Sequence, residues 1–138
     1  MRDLIVRDLA ASNTCLLKGS MCVVKLGREI HSARSVPKKL LRSVWKRISD
    51  KPLPDVYAFT LEEKEFLSNL ELVQKNKRMI DTRVAEYGLK VPNQFIEALT
   101  FEFEGHLIIF VKQTTPLVDA LEHELRHVAS WNPQDKAP

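Results

Sequence analysis

The stretch Leu99-Thr100-Phe101-Glu102-Phe103-Glu104-Gly105-His106-Leu107-Ile108-Ile109-Phe110-Val111-Lys112 changes its hydrophobic pattern half-way along. From Leu99 to Phe103 apolar and polar residues alternate, the period-two signature of a half-buried strand. Glu104-Gly105-His106 reads as a turn, and Leu107 to Lys112 returns as a more continuously apolar strand. Thr115-Pro116 then caps and begins a last helix, which runs to about Trp131 before Pro133. A hairpin followed at once by a helix fixes the character of this end of the chain.

Upstream, Thr60 and Glu63 make a T-x-x-E capping box, which predicts a long helix from Thr60 to Tyr87. Its stripe is Phe66, Leu70, Val73, Ile80, Val84 and Tyr87, and Gly88 is the stop signal. Before it, Val36-Pro37 opens a shorter helix to about Ile48, with Leu40, Leu41, Val44, Trp45 and Ile48 at helical spacing. Pro52 and Pro54 make Asp50 to Asp55 a rigid connector. The first thirty residues read as irregular structure with one strand, Ser20 to Leu26, ended by Gly27. The order strand, helix, long helix, hairpin, helix describes an α+β chain. It is read as one domain over 1–138, with 50–55 as the candidate seam.

Composition narrows the class. The 138 residues are 44% hydrophobic and 28% charged, which suits one globular domain and excludes collagen-like and low-complexity chains. No run of about 18 apolar residues occurs, so no membrane span is expected. The first eight residues alternate charged and apolar side chains, unlike a secretory signal. Cys15 and Cys22 fit neither a redox pair nor a paired zinc motif, and are expected to be reduced thiols of a cytoplasmic protein.

The last helix carries His123-Glu124-Leu125-Arg126-His127, an HExxH. Imidazoles four residues apart project from one helix face and reach a single ion, for which Zn²⁺ is the natural choice. Glu124 then stands beside the ion, placed to take a proton from bound water and return it to a leaving amine. Leu117, Val118, Leu121, Leu125 and Val128 form the apolar stripe, and His123 and His127 fall together on another side with Ala120 and Trp131.

From Leu99 to Trp131 the chain resembles the heart of a zincin-type metallopeptidase, a hairpin followed by the HExxH helix. The long helix before the sheet is also similar, which makes 56–138 the zincin-like core. The resemblance implies a small domain whose sheet packs against a long helix and the C-terminal HExxH helix. It further implies zinc held by His123 and His127, Glu124 as general base, and a peptide or protein substrate aligned by the strand at Leu107 to Val111. Ser130 and Pro133 stand where the extended HExxHxxGxxH form has glycine and histidine, so that variant is excluded. Asp135 is the expected third ligand, because Pro133 can fold the tail back; His106 or a partner chain is the alternative. Asp119 is too far along the axis to share the ion, and is read as accepting the other ring N–H of His123.

A second class of function rests on charge. From Lys18 to Arg47 nine basic residues face a single acid, Glu29, whereas Leu61 to Glu104 holds nine acids against six bases. The helix at 34–47 is therefore a candidate for contact with nucleic acid or an acidic partner, with HExxH incidental or structural. Trp45 beside Lys38, Lys39, Arg42, Lys46 and Arg47 either stacks on a base or packs in the core. His31 is read as a plain loop histidine.

Overall fold

In a computed structural model, described here for residues 4–8, 21–26, 29–80 and 96–131, the chain is an α+β structure of one mixed sheet and three helices. The strands are β1 (Leu4–Asp8), β2 (Met21–Leu26), β3 (Glu29–Ser35), β4 (Val56–Leu61), β5 (Arg78–Met79), β6 (Ala98–Phe103) and β7 (His106–Lys112). The helices are α1 (Lys38–Trp45), α2 (Glu63–Asn76) and α3 (Leu117–Ser130). Sheet order is β1-β2-β3-β4-β7-β6-β5, antiparallel except where β4 and β7 run parallel from Val56↔Leu107 to Leu61↔Lys112. No helix among the described residues is long and apolar enough to cross a membrane.

The continuous apolarity of β7 has a simple cause: both of its faces are covered. Leu107, Ile109 and Val111 join Val56 and Ala58 beneath α1 and α3, with Leu41, Val44, Leu121, Leu125 and Val128. Ile108 and Phe110 turn the other way, to Phe59, Leu61, Leu99 and Phe101 under Phe66, Leu70 and Val73 of α2. The Phe110 ring meets those of Phe101, Phe59 and His31 edge-on, at 5.1, 6.2 and 5.2 Å. Helices on both faces of one sheet make three layers.

Several expectations change. Thr60 is no helix cap; it lies in β4, whose aromatic and β-branched residues (Val56, Tyr57, Phe59, Thr60) favour a strand, and Glu62 takes the N-cap position of α2 without a side-chain capping hydrogen bond. The helix also stops early. Lys77 is extended (φ −119°, ψ 158°), β5 follows, and Ile80 is buried in the cluster under α1 and α3 rather than with Phe66, Leu70 and Val73. Val84, Tyr87 and Gly88 lie outside the described residues. The N-terminal part contributes β1, β2 and β3 rather than one strand. His31 belongs to β3 and is fully buried, so it is no loop residue. Trp45 is core, 5% exposed, with its indole N–H donated to the Lys51 carbonyl at 2.6 Å; it has no face free for stacking on a base.

The hairpin is as read, and tighter. Phe103 pairs with His106, leaving only Glu104 (φ 48°) and Gly105 (φ 85°) in the turn. Two positive φ values in a two-residue loop are the type I′ geometry whose twist matches the flanking strands. Strand β7 lies between β4 and β6, so its backbone edges are both used. The expected alignment of a peptide by Leu107 to Val111 is therefore wrong.

Candidate metal centre

Helix α3 follows the hairpin after a short turn and lies back across β6, β7 and α1. Ala120, Leu121, Leu125 and Val128 are its buried face, and Val118, expected on that stripe, is exposed. Glu124 falls among the buried residues, at 4% exposure, while His123 is exposed and His127 half-buried at the rim. The HExxH thus spans the edge of the helix–sheet contact: two imidazoles outside, one carboxylate inside.

The three side chains bring ligand atoms within 4.8 Å of one another, and among the described residues they are the group so placed. The Nε2 atoms of His123 and His127 are 3.2 Å apart, with the rings nearly perpendicular at 85°. Tetrahedral zinc with Zn–N bonds of about 2.0–2.1 Å separates two ligand nitrogens by about 3.3–3.4 Å. The pair is therefore set at the spacing one ion requires. The same separation also suits a hydrogen bond from one ring N–H to the other nitrogen. Two imidazoles and a carboxylate are donors of the kind zinc takes, and the exposure of His123 leaves room for water or substrate.

Glu124 is held from the sheet. Thr100 Oγ1, itself fully buried, donates to Glu124 Oε1 at 2.5 Å. A buried carboxylate needs such a partner, because burial without hydrogen bonds disfavours its charge. Thr100 alternates with Leu99 and Phe101 and so faces the other side of β6; α3 covers that side, and Thr100 points into the contact. The available sequence signal was size, since Ala98 and Thr100 are small where the helix approaches the strand.

The remaining candidates separate. His106 Nδ1 is 2.8 Å from Asp55 Oδ2 and its ring is 5.8 Å from that of Tyr57, so it serves the start of β4 and is not gathered with His123 and His127. Asp119 is exposed and outside the donor group. Asp135 lies outside the described residues. Glu122 accepts from Arg126 at 2.6 Å and lies 3.7 Å from Arg47, an ion-paired seam between α3 and the end of α1. The chain matches no model of a known protein family, no curated protein and no solved structure.

Proposed function

We propose that the protein is a zinc-dependent hydrolase acting on peptide bonds, in the manner of the zincin-type peptidases that its HExxH segment resembles. The observation that carries this reading is the 3.2 Å Nε2–Nε2 separation of two histidines beside a carboxylate anchored on the sheet. His123 and His127 would hold the ion. Zinc supplies Lewis acidity, polarising a carbonyl and acidifying water. Glu124 does the proton work. Anchored by Thr100, Glu124 would take the proton of the attacking water and deliver it to the departing amine nitrogen. The net change is addition of water across the peptide bond, with Glu124 returned to its starting state.

Metal content tests the first half. Purified chain is expected to hold about one zinc, and the His123→Ala, His127→Ala double variant none. Substoichiometric metal that the double substitution leaves unchanged removes the hydrolase reading.

A further inference from the structure

Helix α1 and the connector that follows it face each other across a groove of about 820 Å³. Lys38, Arg42 and Lys46 line it from the helix and Lys51 from the connector, against one acid, Asp50. Residues four apart on a helix form one stripe, with a rise of about 6 Å per step. Like charges at that spacing repel. The helix makes the situation worse, having no acid in its first turn, where the positive end of its dipole favours one. Neighbouring cations are treated differently: Arg47, on the other flank, meets Glu122, and Arg126 meets the same carboxylate. Among the described residues Arg42, Lys46 and Lys51 make no ion pair. The groove is also built. Trp45 Nε1 holds the Lys51 carbonyl at 2.6 Å, Ser49 Oγ accepts from Lys51 N at 3.1 Å, and Pro52 and Pro54 stiffen the far wall.

The geometry points to a binding site for a small molecule bearing two or more phosphate groups, held in this groove by Arg42, Lys46 and Lys51. The cations line the groove from two facing elements rather than along one, which favours a compact anion over an extended strand. The volume falls in the range of about 300–1,000 Å³ usual for small-ligand sites. Leu53, Pro52 and Pro54 offer an apolar surface for the rest of such a molecule.

Calorimetric titration of the full chain with inorganic pyrophosphate and with adenosine diphosphate tests this. Each is expected to bind one to one, more weakly as salt rises. Arg42→Ala with Lys46→Ala should weaken binding about tenfold or more. Lys39→Ala with Lys75→Ala removes the same charge at exposed positions outside the groove, and should change nothing. His123→Ala with His127→Ala should likewise change nothing, which separates this site from the metal centre. The proposal is overturned by absence of binding at low salt, or by equal loss in the Lys39, Lys75 control. Loss in the histidine variant overturns it too, because the anion then sits on the metal. So does binding confined to single-stranded oligonucleotides with affinity growing with length, which marks an open polyanion surface.

Discussion

The hydroxyl of Thr100 does for Glu124 what water does for a carboxylate at the surface, without moving. Thr100→Val keeps the shape and deletes the donor, leaving Oε1 buried without its partner at a cost of about 1–3 kcal/mol. Thr100→Ser keeps the donor and should recover most of that loss in chemical denaturation. Glu124→Gln separates the chemistry from the fold. It retains reach but cannot accept the proton, so zinc content should persist while turnover of an unstructured protein falls by about 10²–10⁴. Equal cleavage by Glu124→Gln and the parent sinks the assignment of Glu124 as base. At this scale the sequence disclosed the donors but not their support. His123, Glu124 and His127 announce themselves by spacing along one helix, whereas Thr100 acts across 24 residues and resembles any polar strand position.

Among the elements, the hairpin offers the cleanest test of local reading. Gly105 sits at φ 85° with nothing within 4 Å of where a Cβ would be. Gly105→Ala therefore reports conformational strain alone, and should destabilise by about 1–2 kcal/mol. Glu104, at φ 48°, is a non-glycine residue in the same left-handed region. Glu104→Asn gives the Asn-Gly pair favoured in type I′ turns and should raise the denaturation midpoint. The turn was legible because its geometry is decided by adjacent residues. Helix α2 was half legible for the converse reason. Phe66, Leu70 and Val73 form the buried stripe that periodicity indicates, but the T-x-x-E match at Thr60 and the helical spacing of Ile80 carry the helix too far at its two ends. What decides between helix and strand at Thr60 and Met79 is the neighbouring strand, Arg34 for one and Phe101 for the other. Periodicity within a segment carries no record of such partners.

Over the whole molecule, the sheet is closed at its least local point, the parallel pairing of β4 with β7, while β3 covers only the far end of β4. Where β3 leaves off, Val36 N donates to Ala58 O at 2.9 Å and Lys38 Nζ to Val56 O, so the chain entering α1 finishes the edge with other donors. Lys38 lies there 4.4 Å from the centre of the Tyr57 ring. Burial lowers its pKa from the ordinary 10.5, Asp55 opposes the shift and Arg42 adds to it. The folded chain thus binds this proton less tightly than the unfolded one. Its unfavourable contribution is fully present below the depressed folded value, and fades as pH rises from there toward 10.5. Stability of the parent relative to Lys38→Met should therefore increase across that window in paired denaturation curves. Adding Arg42→Ala to both backgrounds should narrow the window.

The central position of β7 also dictates an order of events. Among the described strands it comes last along the chain, yet it lies between β4 and β6 in the finished sheet. A nascent chain that has released only β1 to β4 holds a meander whose last strand still shows a row of unmet amides and carbonyls along one side. Loop closure over some fifty residues must precede their capture, and pairing at such range is intrinsically slow. During that interval the exposed edge is a template for another copy of itself. Substitutions that delay the β6–β7 hairpin, Gly105→Ala among them, should accordingly lower soluble yield in synthesis more than they lower the stability of protein already folded.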